Sequence, residues 1–252
     1  MRFTITTSLL LSTMLLGLTS AACIGGTKPP TNPSGGPFDA SKEIGDITAA
    51  QVLAAAPETG SCSSGGECSN ANVAAKALND AFATYGLKTL GQKAGMIAYM
   101  AFESGGFLWN TNQSPGRPGQ GTKSMLMFAH LYNFAKSFPE LQGAVAQNSP
   151  GGKLAEVNYA NADSMFSDSA KNAIRALVLG DAYTFKGGPW YLTSYPSATC
   201  DKKQLNNGYQ GFVTTMGAPC YYVTVDAGRK DRWCRTIKAI MPTGMTAPAD
   251  CA

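Results

Sequence analysis

A single histidine, His130, in 252 residues is the first limit this sequence sets. A zinc site needs several histidines or CxxC-type cysteine pairs, and both are missing. A Ser-His-Asp triad would have to use His130, which sits inside a helical pattern between Ala129 and Leu131. There is also no G-x-S-x-G turn to present a serine. Phosphate loops of the G-x-x-x-x-G-K-[ST] kind are absent. Charge is scarce as well, at 14% of residues with a net +4 and no Lys/Arg run. That removes the basic stripe a nucleic-acid surface needs. Beyond the first two dozen residues no apolar stretch is long enough to span a bilayer. No internal repeat is visible, and nothing calls for a metal or a cofactor.

Cysteine, by contrast, is present seven times. The chain opens with Met1-Arg2, an apolar stretch over residues 8–18 and the small residues Thr19, Ser20, Ala21 and Ala22. One positive charge, a short apolar region and a small-residue exit predict a secretory signal peptide over residues 1–22. Cys23 then stands at the cleavage edge, and lipidation there lacks the usual preceding leucine. In an oxidising compartment Cys62, Cys68, Cys200, Cys220, Cys234 and Cys251 predict three disulfides. Cys62 and Cys68 read as a local pair in a Ser/Gly turn; the other four tie the C-terminal third together. Residues 23–41 are rich in Pro, Gly, Thr and Asn and read as an extended leader. Residues 42–252 then suit one domain, expected to be secreted, soluble and monomeric.

Helical signals dominate that domain. Asn70 or Asn72 caps a helix carrying Val73, Ala77, Ala81 and Phe82, ended by Gly86. Thr89 with Gln92 makes a capping box for a second, which runs to Glu103 before Gly105-Gly106. Residues 125–138 read as a third, stopped by Pro139. Ser167 or Asp168 opens a fourth, with Asp181 at its end. Asp226 caps a last one carrying Trp233, Ile237 and Ile240. Residues 212–215 and 221–225 alternate like short strands. The expected class is mainly α, with minimal sheet.

The chemistry concentrates in residues 98–127, AYMAFESGGFLWNTNQSPGRPGQGTKSMLM. Glu103 ends a mostly apolar helix. Burial there disfavours its ionised form, and the negative end of the helix dipole pushes the same way. A carboxyl kept protonated near neutral pH is a proton donor for a leaving glycosidic oxygen. The adjoining loop offers Asn112, Ser114 and Gln120 as neutral hydrogen-bonding groups, with Tyr99, Phe107 and Trp109 as flat apolar faces. Sugars present the complementary surfaces: hydroxyls at the ring edge and C–H faces above and below. Trp190 and Tyr191 are a further candidate platform.

Glu103-Ser104-Gly105-Gly106-Phe107, then Asn112 and Ser114, then Gly119-Gln120-Gly121, resemble the catalytic signature of goose-type lysozymes and soluble lytic transglycosylases. The segments SPGRPGQGTKSM and ALVLGDAYTFKGGPWYLTS (residues 176–194) are similar to secreted fungal proteins with a lysozyme-like domain. The resemblance covers about residues 65–240. It implies a lysozyme-like fold, Glu103 as general acid, and a cleft touched by Ser104, Ser114 and Gln120. Two features depart from the pattern. Gln120 precedes Met125-Leu126-Met127 rather than following them, and the superfamily's later Ala-Tyr-Asn motif has no match.

Hydrolysis through a second carboxylate needs a base or a nucleophile, and Asp181 is the candidate. The expected function is a muramidase-like glycoside hydrolase acting on peptidoglycan. Chitin or chitosan cleavage and lytic transglycosylase chemistry are the alternatives. A carbohydrate-binding cell-wall effector without turnover is the alternative of a different class.

Overall fold

The computed structural model describes residues 36–62, 66–196 and 199–252. The segment expected to be a signal peptide, residues 1–22, and most of the expected leader over 23–41 lie outside the described residues. Eleven α-helices are described: α1 (Ala49–Ala55), α2 (Ala71–Tyr85), α3 (Leu90–Glu103), α4 (Phe128–Lys136), α5 (Gln142–Gln147), α6 (Ala162–Met165), α7 (Asp168–Ala176), α8 (Asp181–Thr184), α9 (Gly187–Ser194), α10 (Gly208–Met216) and α11 (Ala227–Ile240). Pairing between extended segments is limited to isolated bridges among the described residues, such as Thr111 with Gly121. The protein is mainly helical, as its sequence predicts.

Local capping chemistry sets several boundaries. The Asn70 side chain accepts from the Asn72 and Val73 amides, and Gly86 closes α2 at φ 62°. Thr89 and Gln92 form the expected reciprocal box at the start of α3. Ser167 and Asp226 cap α7 and α11 through their side chains.

Two apolar clusters fill the interior. The first surrounds α3, whose residues are buried all round from Leu90 to Ala101. Helix α11 lies along α3 and brings Trp233, Ile237 and Ile240 into the same cluster. A helix this enclosed cannot present a broad polar face, so α3 meets solvent only at its end. The second cluster gathers on α4, with Phe128, Tyr132 and Phe134 packed against Phe166, Ile174 and Trp190.

The three disulfides are Cys62–Cys68, Cys200–Cys220 and Cys234–Cys251. The first is the local pair expected, and the others close the C-terminal third.

Several expected elements are corrected. Residues 212–215 belong to α10, not to a strand. Gly208, Gly211, Phe212, Thr215 and Met216 are buried at helical spacing, which overrides the short alternating pattern. Residues 221–225 pair with no strand. Helix α4 begins at Phe128, because Met125 takes a left-handed φ of 45° and Leu126 bonds back to Gly121. Gly187, Gly188 and Pro189 form the first turn of α9. Pro189 is tolerated there because an N–H in a first turn has no helical partner to lose. A Cβ on Gly187 or Gly188 would lie 2.8 Å from the Thr122 or Ser124 hydroxyl, so glycine lets α9 close on the loop.

Residues 36–41, assigned by composition to the leader, pack on the domain. Ala40 and Lys42 carbonyls accept from the Gly91 and Leu90 amides, both at 2.8 Å. The Phe38 ring meets the Trp233 ring edge-on at 6.4 Å. The packed region therefore starts earlier than the composition suggests.

Candidate active site

Helix α3 ends on Glu103 because the next four residues turn the chain out of the helix. The Ser104 hydroxyl donates to the Met100 carbonyl at 2.7 Å and accepts from the Phe107 amide at 3.0 Å. Gly105, Gly106 and Phe107 then take left-handed φ values of 62°, 76° and 68° in succession. Glycine adopts that conformation freely, whereas a phenylalanine there is uncommon. Phe107 is held in it by full burial against Phe185, with ring centroids 5.2 Å apart.

Glu103 itself is mostly enclosed, with 21% of its side chain exposed. Burial raises its carboxyl above the usual glutamate value. The nearby Arg229 guanidinium opposes this by charge and hydrogen bonding, without cancelling it. Arg229 comes from the first turn of α11, where Asp226 accepts its backbone amide at 2.8 Å. Its Nη2 donates to Glu103 Oε1 at 2.6 Å. Oε2 accepts no hydrogen bond among the described residues. The carboxyl is thus fixed through one oxygen.

Glu58, in the 3-10 turn Pro57–Ser61, forms a second pair with α11. Arg232 Nη2 and Nη1 donate to its two oxygens at 2.7 and 3.1 Å. Those bonds hold the Glu58 carboxyl below the usual range, although its partial burial pushes the other way. The Glu58 carboxyl lies against Gly106, where a Cβ would overlap it. Trp109, 44% exposed, places its ring edge against Gly105. The glycine turn after Glu103 is therefore bordered by an exposed indole and by a second carboxylate.

A buried lysine holds the loop beyond this turn. Lys123 is wholly enclosed, and its Nζ donates to the carbonyls of Glu67, Phe107 and Trp109. Burial pushes its ammonium down to about 8. Glu67, beside the Cys62–Cys68 bridge, accepts from the Asn110 and Thr111 amides and the Thr111 hydroxyl. Asn112 accepts from the Gly116 and Arg117 amides, so it braces the loop tip. Ser114 is exposed at that tip. Gln120 donates to the Met125 carbonyl at 3.0 Å.

The sequence therefore brings Glu103, Trp109 and the loop of Asn112, Ser114 and Gln120 into one segment. The other aromatics play packing roles. Tyr99 is buried, donates to the Ser124 carbonyl and packs on Tyr221. Phe107 and Ser104 are fully enclosed. Trp190 and Tyr191 are 4% and 8% exposed, packed on Phe134, Tyr195 and Tyr221, so they offer no face for sugar stacking. Asp181 does not end the fourth helix, since α7 stops at Ala176. It is exposed at the start of α8, where its charge acts on Lys123. Arg229, Arg232, Glu58 and Lys123 carry no local signature by which sequence reasoning could have found them. Only the basic residues three apart behind the Asp226 cap hint that one face of α11 is charged.

A hollow of about 550 Å³ lies elsewhere, lined by Gln147, Asn148, Ser149, Met165, Phe166 and neighbours. It contains no ionisable side chain and so no acid–base chemistry.

No family model matches the chain, and no solved structure matches it. Among curated proteins, it is 34% identical over 123 residues to the bifunctional dioxygenase (DOX)-epoxy alcohol synthase (EAS) of Fusarium oxysporum (strain Fo5176). The match takes in 48% of this chain and spans 9% of that protein's length.

Proposed function

We propose that the protein is a glycoside hydrolase with a lysozyme-like domain that cleaves an amino-sugar polymer, with Glu103 as the general acid. The observation that carries this reading is the state of Glu103. Its carboxyl closes an apolar helix, is raised by burial, and is anchored through one oxygen, in a turn whose Gly105 meets the exposed Trp109 ring. A carboxyl whose protonated form is favoured by burial, in the same turn as an exposed aromatic ring, suits a leaving glycosidic oxygen and the sugar ring that bears it. The resemblance of Glu103-Ser104-Gly105-Gly106-Phe107 and the adjoining loop to goose-type lysozymes supports the same reading. Peptidoglycan is the proposed polymer, with chitin or chitosan next, and product analysis separates hydrolysis from the anhydro-sugar of a lytic transglycosylase. Three disulfides favour an oxidising, extracellular setting. The fungal relative's name describes a protein of which less than a tenth is matched, so its activity is not carried over.

Binding without turnover is the second reading. It is favoured by the Arg229 ion pair, which opposes protonation of Glu103. One experiment separates the two. Purified protein is incubated with Gram-positive cell walls, chitin oligomers and chitosan oligomers, and new reducing ends are measured. Cleavage of any of them by the wild type and its loss in Glu103→Gln supports the hydrolase, since the amide cannot donate the proton. Binding to the walls with no new reducing ends in either protein supports the lectin-like alternative.

A further inference from the structure

We propose that Glu58 is the second catalytic carboxylate, the base that activates the attacking water while Glu103 protonates the leaving oxygen. This rests on the hydrolase reading above. Helix α11 is the common support of the two acids. Arg229 and Arg232 stand three residues apart, so they project from the same face of the helix. Each ends on a carboxylate: Arg229 on Glu103 and Arg232 on Glu58. The two acids are brought to one place from chain segments 45 residues apart in the sequence by one turn of a third. The glycine turn fixes the spacing further, because the Glu58 carboxyl rests on Gly106, three residues beyond Glu103.

The two environments differ in the sense acid–base catalysis requires. Glu103 has one oxygen held and one free, with burial favouring the protonated form. Glu58 has both oxygens held by Arg232 and 31% of its side chain exposed. It stays ionised, in contact with water. A carboxylate has about four lone-pair sites, so the two arginine bonds leave room for a water proton. Two nearby carboxyls whose surroundings push their protonation apart form the usual division of labour between acid and base. Asp181 has neither feature, being exposed and coupled to Lys123 instead.

The step balances. Water loses a proton to Glu58 and its oxygen bonds to the anomeric carbon. The bond from that carbon to the glycosidic oxygen breaks, and that oxygen takes the Glu103 proton. Glu58 ends protonated and Glu103 ionised, and exchange with solvent restores both.

The test uses the full-length secreted protein and the amino-sugar oligomer that the wild type cleaves best. Glu58→Gln keeps an oxygen for Arg232 and removes the base. It should lower kcat by about 10²–10⁴-fold. The acid limb of its pH profile should vanish while the alkaline limb set by Glu103 persists. Glu58→Ala with added sodium azide should regain turnover and yield a glycosyl azide, which a merely structural residue would not allow. Should both variants fail to fold, Glu58→Asp decides: it retains the charge but withdraws it, so kcat should fall more than tenfold at little-changed KM. Full kcat and an intact acid limb in Glu58→Gln, or full kcat in Glu58→Asp, overturns the assignment. If those results come with a dead Glu103→Gln, only Glu58 loses its role. If the wild type cleaves no amino-sugar polymer, the hydrolase reading falls and this inference with it.

Discussion

Arg229 grips the end of α3 through two adjacent residues: it donates to Glu103 Oε1 at 2.6 Å and covers the Phe102 ring at 4.1 Å from its centroid. The ring contact fixes the guanidinium plane, and the hydrogen bond fixes the carboxyl. Charge and position are therefore tied together at this one arginine. Replacing it separates them.

In Arg229→Gln, burial of Glu103 acts without the opposing positive charge. Its carboxyl should rise further above the usual value, and the alkaline limb of the rate profile should move to higher pH. Loss of the partly buried pair should also lower stability by on the order of 2 kcal/mol, between the exposed and fully buried limits. A pH–rate profile and a urea melt check both. An alkaline limb that moves down would mean that Arg229 does not set the acid.

Lys123 makes a separate claim on the same loop. Its buried ammonium donates to three carbonyls, and an apolar side chain of similar size takes that donor from Glu67 and Trp109, while Phe107 keeps the Ser69 amide at 3.0 Å. Lys123→Met should lose about 3 kcal/mol or more, because each buried unsatisfied group is costly. Thermal denaturation measures this. A loss under about 1 kcal/mol would mean the loop is held by Glu67 and packing alone.

Legibility in the sequence tracks the range of the interactions. The caps at Asn70, Thr89, Ser167 and Asp226 are local, with the capping groups within three residues of the amides they serve, and each starts its helix where expected. Glu103 was legible because a glycine pair comes directly after a helical pattern. Arg229 and Glu58 were not, since their pairs join residues 126 and 174 apart in the chain. Phe107 and Trp109 are two residues apart, yet one is fully buried and the other 44% exposed. Composition alone cannot tell a packing ring from a free one. In α10, a short alternating pattern suggested a strand, and tertiary burial at helical spacing decided otherwise.

His130 sits among Tyr159, Tyr191 and Tyr195, and burial pushes its imidazole down to about 4. The unfolded chain takes up this proton near pH 6.5, and the folded protein only near 4. Above that unfolded value both states are neutral and His130 adds no pH dependence. As pH falls from 6.5 towards 4, the unfolded state gains a proton the folded one refuses, so stability drops by up to about 3 kcal/mol. Urea midpoints of wild type and His130→Phe at about pH 7 and about pH 4.5 should diverge, with the variant losing less on acidification. Equal losses would assign the acid sensitivity to other groups.

The strap over residues 36–42 supplies the last prediction. The first amides of a helix have no partner within it, and an unpaired amide at a buried helix start is costly. In α3, Leu90 and Gly91 find theirs in the Lys42 and Ala40 carbonyls. Ala40 is itself buried, and the Gly36 carbonyl accepts from the Thr246 amide at 2.9 Å, which ties the strap to the C-terminal end of the domain. Phe38 adds its ring to Trp233, one of the largest side chains in the interior. A chain starting at Glu43 loses both carbonyl partners and uncovers the indole. Compared with a chain starting at Gly36, it should unfold about 2–4 kcal/mol more easily. Because the strap holds the start of α3 while Glu103 stands at its other end, the truncated protein should keep its kcat wherever it remains folded. Urea denaturation of the two chains, with activity measured well below the midpoint, gives both quantities. Equal midpoints would show that residues 36–42 lie on the domain without supporting it, and a fall in kcat without a fall in stability would place the strap in the service of the site.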